Sequence, residues 1–139
     1  MHPFGTHRTD GIVWKPGPPS LPAGAQITVL EGDPSKAGPF VFRVKVPDGF
    51  TIPPHTHPRA ERVTVIQGVF NIAMQATLEQ ARQPGNFTAM SAGSFGYWPA
   101  QMAHVAWATG ETVVQFHGHG PWVIQYLNPA DDPRNAGRR

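Results

Sequence analysis

Short apolar runs alternate with turn clusters along most of the chain. The run at 26–30 is followed by Gly32-Asp33-Pro34-Ser35, and the run at 40–46 is followed by Pro47-Asp48-Gly49. Further runs lie at 61–67, 69–76, 87–90, 94–98, 104–107, 112–117 and 121–127. Strands this short and this regularly spaced predict an all-β domain, either an antiparallel barrel or a sandwich. The segment from Thr77 to Arg82 differs, and we expect it to form a single helical turn inside a hairpin.

The two ends of the chain differ in composition from its middle. Residues 1–24 are rich in proline and glycine, which predicts an extended arm with turns. We therefore expect the all-β domain to occupy residues 25–128 and a polar tail to occupy 129–139. The apolar side chains of the arm need a surface to cover, which is either the flank of the domain or a neighbouring subunit. These side chains are Phe4, Ile12, Val13, Trp14 and Leu21.

Composition supports a single turn-rich domain and excludes several kinds of chemistry. The chain has 139 residues, enough for one hydrophobic core and too few for two well-packed ones. Sixteen prolines and fifteen glycines against 14% charged residues are typical of a β-rich fold with few exposed helices. Because cysteine is absent, disulfides, thiolate nucleophiles and cysteine-ligated metal sites are excluded.

Charge and hydropathy favour a small-molecule partner. The net charge is +2, and Arg8, Arg134, Arg138 and Arg139 lie in the expected arm and tail. No nucleic-acid-binding motif is present, so we expect no nucleic-acid partner. The sequence has neither a charged start followed by a long apolar run nor a span long enough to cross a membrane, so we expect no membrane partner and a cytoplasmic location. Removal of a leader would leave the periplasm as the alternative.

Three potential metal ligands lie close together between Gly49 and Gly68. In the segment GFTIPPHTHPRAERVTVIQG, His55, His57 and Glu61 have the same parity and precede a β-branched strand. Residues two apart on a strand point to one face, so the two imidazoles can converge on one point. Glu61 begins the next strand after a short turn and can bring a carboxylate oxygen to the same place.

A second segment supplies a fourth potential ligand. In GSFGYWPAQMAHVAWA, which ends at Ala108, His104 follows the turn Pro99-Ala100-Gln101. If its strand lies opposite the first in a closed barrel, His104 completes a set of three imidazoles and one carboxylate. A lone histidine in a strand is usually a hydrogen-bonded core residue, but a buried set of four without a cation would be costly. The set therefore predicts one divalent ion of Fe, Mn, Ni, Co, Cu or Zn, whose identity the ligands do not specify.

Other side chains are candidates for the surroundings of the ion. His117 and His119 lie two apart in FHGHG, and we expect His117 to act as an acid–base group near the metal. The alternative is that the flanking glycines form a bulge that leaves both side chains exposed. An aromatic and apolar set around the second segment predicts either a hydrophobic pocket or ordinary core. Its members are Phe95, Tyr97, Trp98, Met102, Trp107 and Trp122.

The two segments resemble the two motifs of the cupin superfamily. Gly49, His55, His57, Glu61 and Gly68 match the first motif without a gap. The second motif matches at Gly93, Pro99 and His104, whereas Gln101 replaces the usual glycine and Ala108 the usual asparagine. The resemblance covers about residues 40–127. It implies a jelly-roll barrel of six to eight strands in a single domain, commonly a homodimer, with the metal held inside the mouth of the barrel.

The resemblance implies a metal-dependent protein without fixing one reaction. Our first hypothesis is a dioxygenase-type oxidoreductase acting on a small organic substrate, in which Glu61 doubles as a base. The second hypothesis is a redox-neutral isomerase, cyclase or decarboxylase, in which Glu61 or His117 moves the proton. The third is a non-catalytic module in which the metal is structural or senses a ligand.

Overall fold

The computed structural model describes residues 5–135, and nine antiparallel β-strands form its framework. The strands are β1 (Lys15–Pro16), β2 (Gln26–Glu31), β3 (Gly38–Val46), β4 (Thr51–Thr56), β5 (Glu61–Ala73), β6 (Thr88–Ser91), β7 (Phe95–Trp98), β8 (His104–Gly120) and β9 (Gln125–Tyr126). One short helix, α1 (Leu78–Ala81), lies between β5 and β6, and the Thr77 side chain caps it by accepting a hydrogen bond from the Gln80 amide. The all-β jelly-roll prediction is confirmed, and so is the helical turn.

The 17-residue strand β8 organises the sheet. Its second half pairs with β3, its first half pairs with β4, and both halves pair with β5. The outer strands extend this sheet, with β2 and then β1 beyond β3, and β9 beyond β4. Strands β6 and β7 pair with β5 alone. The two segments that carry the predicted ligands therefore lie on strands that contact each other directly.

Two pairs of predicted strands are each one bent strand. The runs at 104–107 and 112–117 join through Gly110, at φ +76°, and the runs at 61–67 and 69–76 join through Gly68, at φ +78°. A left-handed residue bends a strand without ending it, and the β5–β8 register shifts around Gly68. A glycine between two apolar runs usually indicates a turn. The sequence analysis therefore predicted two strands where the structure has one.

The core lies on the inward faces of these strands. Alternate residues of β3 are buried, and Phe42 has no exposed surface. Its ring stacks on Phe116 of β8 at 5.2 Å and meets the edge of Trp122 at 5.3 Å. Aromatic contacts of this kind stabilise beyond the area that they bury. The same aromatic cluster borders the end of the barrel where the predicted ligands lie.

The described part of the predicted arm packs on the domain. Strand β1 pairs with β2. The ammonium group of Lys45 in β3 lies 5.0 Å from the centre of the Trp14 ring. Leu21 is 5% exposed and belongs to the main core. The arm therefore covers the flank of its own domain. Phe4 and residues 136–139 lie outside the described residues. No helix within residues 5–135 is long and apolar enough to cross a membrane.

The two bend glycines give a matched test of the strand geometry. A Cβ atom at Gly68 would overlap the Glu111 carbonyl oxygen, whereas one at Gly110 would meet nothing within 4 Å. We expect Gly110→Ala to lower the free energy of unfolding by about 1 to 2 kcal/mol through left-handed strain alone. Gly68→Ala should cost about 1 to 3 kcal/mol more, because the overlap adds to the same strain. Urea denaturation of both variants measures the difference, and equal costs would contradict this account of β5.

Candidate metal centre

Strand pairing brings the two histidine segments together. His55 of β4 and His104 of β8 are direct partners in the antiparallel register. His57 lies one residue beyond β4, and its carbonyl accepts a hydrogen bond of 2.8 Å from the Gln101 amide in the loop before β8. The sequence analysis included His104 on the condition that its strand lies opposite the first one, and the structure brings the two strands together as hydrogen-bonded neighbours. Adjacent strands place facing side chains about 5 Å apart, close enough to share one ion.

The three imidazoles form a compact buried cluster. His55, His57 and His104 are 2%, 4% and 1% exposed, and each offers a nitrogen within 4.8 Å of the other two. The ring centres of His55 and His104 are 4.1 Å apart, and that of His57 lies 4.9 and 5.1 Å from these two. Three neutral nitrogen donors at this spacing can bind one divalent transition metal ion.

Each imidazole is held in place through its Nδ1 atom. His55 Nδ1 lies 2.6 Å from the Pro53 carbonyl oxygen, His104 Nδ1 lies 2.9 Å from that of Met102, and His57 Nδ1 lies 2.7 Å from that of Val123. A carbonyl oxygen can only accept, so each Nδ1 must carry the proton and donate it. The Nε2 atom of every neutral ring therefore presents a lone pair. Hydrogen bonds of this type commonly orient metal-ligating histidines.

Two of these lone pairs lack a donor among residues 5–135, and this shows whether a metal ion fits the site. Among the described residues, His57 Nε2 and His104 Nε2 are buried side-chain atoms without a hydrogen-bond partner. Such a group is costly unless something else satisfies it. A divalent cation would accept all three lone pairs at once. The donor set and its orphaned atoms thus fit a resident metal ion.

Glu61 lies beside the imidazoles and is held by two tryptophans. Its Oε2 is 3.0 Å from His57 Nε2, and its Oε1 is 3.8 Å from His104 Nε2. The indole nitrogen of Trp98 donates to Oε1 at 3.2 Å, and that of Trp122 donates to Oε2 at 2.8 Å. The carboxylate falls outside the compact group that the three imidazoles form. The structure therefore brings all four predicted ligands together, with Glu61 adjacent to the trio.

Burial and mutual charge set the protonation of the cluster. Burial, reinforced by the neighbouring imidazoles, lowers the pKa of His55 to about 3. Burial likewise lowers the pKa of His104. It opposes ionisation of Glu61 as well, but the charge of His57 prevails and lowers the pKa of that carboxyl group. His57 has a raised pKa, because the Glu61 carboxylate outweighs the effect of burial. The site thus holds His55 and His104 neutral, whereas His57 and Glu61 each favour the charged form of the other.

A narrow apolar cavity adjoins the imidazoles. Apart from the four polar groups and the indoles of Trp107 and Trp122, its walls are aliphatic or phenyl side chains. The wall residues come from β3, β4, β5, β8 and the segments around them: Leu21, Val44, Val46, Phe50, Ile52, Phe70, Ile72, Ala106, Ala108, Val114, Phe116 and Ile124. A ligand with one polar end would place that end at the imidazoles.

His117 lies on the outer face of β8, away from this cavity. Its ring stacks on Phe95 at 6.1 Å, while the preceding Phe116 points into the core. His117 and His119 border a second, smaller space on the other side of His57 and Glu61. His119 is exposed and His117 is half-buried outside the cavity, so the acid–base role of His117 stays a prediction.

The sequence analysis missed the function of the aromatic set around the second segment. Trp98 and Trp122 orient Glu61, whereas Phe95 and Tyr97 are 53% and 69% exposed on the outer face. A buried indole needs an acceptor for its N–H, so a tryptophan near a predicted buried carboxylate was the available signal. The role of Leu21 as a cavity wall had no comparable signal, because it lies in an irregular segment.

Residues 5–123 match the family model described as the ChrR cupin-like domain. A comparison with curated protein sequences gives no significant match. Among solved structures, the chain is similar to the polyketide cyclase RemF from Streptomyces resistomycificus (TM-score 0.66, 15% identity, covering 98% of this chain and 93% of that one). It is also similar to an acetylacetone dioxygenase from Acinetobacter johnsonii (TM-score 0.65, 12% identity, covering 95% and 82%).

A third similar structure is a regulatory complex. A chain in the complex of Rhodobacter sphaeroides SigE with the anti-sigma ChrR aligns with a TM-score of 0.56 and 17% identity. The alignment covers 79% of this chain and 51% of that one. Since all three identities are below 25%, these structures establish the shared fold.

The hydrogen bonds at Nδ1 predict one tautomer for all three histidines. In metal-free protein near pH 8, we expect His55, His57 and His104 to carry their proton on Nδ1, because each donates to a carbonyl oxygen. Long-range ¹H–¹⁵N correlation spectra distinguish the protonated nitrogen from the bare one. His7 provides a comparison, because it is exposed and contacts the Leu30 carbonyl through Nε2. A cluster histidine that carries its proton on Nε2 would contradict the site geometry.

Proposed function

The chain belongs to the ChrR cupin-like domain family, and on this premise we propose that it is a metal-dependent enzyme acting on a small organic substrate. Within that class we propose a dioxygenase-type oxidoreductase. The observation that carries the proposal is the convergence of three Nε2 lone pairs at one end of an apolar cavity. Three protein nitrogens leave coordination positions open, as catalytic sites require. The fold that the chain shares with an acetylacetone dioxygenase supports this choice.

Residues of this chain have distinct roles in the proposal. His55, His57 and His104 would hold the ion, which when bound supplies Lewis acidity and, for a redox-active metal, electron transfer. Glu61 stays anionic beside the ligands and can accept a proton from a substrate oxygen or carbon at that end of the cavity. Trp98 and Trp122 fix the direction in which its oxygens point. The aliphatic walls exclude bulk water from the reacting end.

A redox-neutral reaction is the second candidate, and the position of Glu61 favours it. A carboxylate held by two indoles next to the metal ligands has the arrangement of a general base, and proton transfer alone suffices for a cyclase, isomerase or decarboxylase. The shared fold with a polyketide cyclase is consistent with this chemistry. Turnover that persists without oxygen in zinc-loaded protein would select this candidate over the dioxygenase.

The shared fold with a chain of the SigE–ChrR complex keeps a non-catalytic role as the third candidate. In that case removal of the metal would lower stability while no substrate is turned over under any condition. The homodimer likewise stays a prediction, which sedimentation of the full chain would test.

Metal content tests the ligand assignment directly. Protein purified without added metal should contain one equivalent of a divalent transition ion, and His104→Ala should lower its affinity for that ion by at least about 100-fold. His117→Ala is the matched control, since it removes an imidazole from the outer face of the same strand. Elemental analysis and competition with a chromogenic chelator provide the measurements. Equal metal loss in both variants would argue against the cluster as the binding site.

Activity tests the role of Glu61. Oxygen uptake should be measured with Fe-, Mn-, Ni-, Co- and Cu-loaded protein on a panel of diketones, flavonols and thiols. Once a substrate is found, Glu61→Gln should lower kcat by about 10² to 10⁴, because the amide accepts no proton at neutral pH. The glutamine amide can accept from only one of the two indoles, because its NH2 group is a donor. Trp122→Phe therefore serves as a control that removes one indole hydrogen bond and leaves the charge of Glu61 in place. Background oxygen uptake across all metals and substrates would overturn the dioxygenase proposal.

A further inference from the structure

The arm before β2 supplies one wall of the cavity. Leu21 lies between β1 and β2, is 5% exposed and belongs to the main core cluster. It lines the same cavity as His55, His57 and His104, although its segment contributes no ligand. The size of the cavity therefore depends on where this segment lies.

We call residues 17–25 the strap. The Gly17 amide donates to the Ala25 carbonyl oxygen at 2.8 Å, which closes the base of the strap. Within it, the Leu21 amide donates to the Pro18 carbonyl oxygen at 3.0 Å. Three prolines of the strap have no N–H to donate, and they restrict its backbone. The strap thus has a defined shape with few bonds to the sheet.

One side-chain contact attaches the middle of the strap to the metal-binding region. The Tyr126 hydroxyl of β9 donates to the Ser20 carbonyl oxygen, next to Leu21. Strand β9 pairs with β4 at His55, and the Tyr126 ring centre is 6.1 Å from that of His55. The contact holds Leu21 against the cavity on the side where the ligand strands end.

The cavity has polar groups at one end only. The imidazoles, Glu61 and the indole of Trp122 form that end, and the remaining walls offer hydrocarbon apart from the Trp107 indole. A ligand must therefore carry its metal-binding atoms at one end and an uncharged apolar body at the other, since a second polar group would be buried without a partner. The length of that body is limited by the apolar walls.

We propose that Leu21 is a specificity-determining residue, which limits the length of the hydrocarbon body that a metal-bound ligand can have. The ligand class is a small uncharged molecule with one oxygen-chelating head and a short alkyl or aryl body. This inference rests on the proposed metal centre and deepens it. Leu21 acts by occupying the space that a longer body needs, and the Tyr126–Ser20 contact keeps it there.

A homologous series of alkyl hydroxamates tests the limit, because their two oxygens chelate divalent ions. Co²⁺ is loaded into the full chain, and binding of acetohydroxamate through decanohydroxamate is followed by visible absorption. Affinity should rise with chain length up to a limit and then fall sharply. Leu21→Ala should move that limit by about three carbons, because the substitution removes three side-chain carbons. It should also strengthen binding of the first excluded homologue by at least about tenfold, since one methylene of that homologue no longer clashes.

Leu78→Ala is the matched control. Leu78 is a half-buried leucine that packs on a second small cluster with Ala73, Ala81 and Val105, away from the cavity. It should leave the limit unchanged. If Leu21→Ala folds poorly, Leu21→Val should move the limit by about one carbon, and Tyr126→Phe should weaken the discrimination between adjacent homologues while every cavity side chain is kept.

The outcomes separate this inference from the metal proposal. If Co²⁺ binds and the chain-length limit is unchanged in both Leu21 variants, the role of Leu21 is overturned and the metal centre stands. The same conclusion follows if Co²⁺ binds but no hydroxamate of any length does. Absence of Co²⁺ binding overturns the metal centre. In that case, benzene binding tests whether Leu21 limits the cavity, because an enlarged apolar cavity binds benzene. A benzene-induced rise in melting temperature of Leu21→Ala, absent from Leu78→Ala, supports Leu21 as the limiting wall, and no rise overturns it.

Discussion

Three hydrogen bonds from imidazole Nδ1 atoms to backbone carbonyl oxygens determine what the site can do. Two of them are local, since His55 and His104 each donate to the carbonyl two residues before them. The third joins His57 to Val123 across the fold. Without these bonds, the rings could turn or take the other tautomer, and the lone pairs would no longer converge. The site is thus oriented by the main chain, which changes little when side chains are substituted.

The carboxylate is oriented in a different way. Glu61 receives one indole N–H on each oxygen, from Trp98 of β7 and from Trp122 in the segment before β9. Burial opposes the anionic form of Glu61, but the charge of His57 lowers the pKa of Glu61 most, and the Trp122 hydrogen bond adds to this effect. Both indoles also pack on the ligand rings, Trp98 at 5.3 Å from His104 and Trp122 at 5.4 Å from His57. The same two tryptophans therefore orient the carboxylate and pack against the imidazole rings.

The fold class and the grouping of His55, His57 and Glu61 could be predicted from the sequence, because both depend on local periodicity. His104 was added through the second motif, on a condition about where its strand lies. Parity placed His55, His57 and Glu61 on one face, and the structure keeps them there. Sequence could not predict that β4 and β8 are neighbours, since pairing between distant strands leaves no local pattern. It also mistook Gly68 and Gly110 for strand ends, because a bend and a turn both favour glycine. For His117, the alternation along the strand predicted that it lies on the opposite face from Phe116. It did not show which of the two faces is the outer one.

The spacing of the ligand strands along the chain has a consequence for folding. His55 and His104 become partners only when β4 pairs with β8, across the long intervening hairpin of β5 to β7. Such non-local pairing is costly in chain entropy and is expected late in folding. An unfolded chain therefore offers an ion no comparable site, so bound metal favours the native state by mass action. If the proposed ion is bound in the cell, its abundance would then govern how long each molecule stays folded.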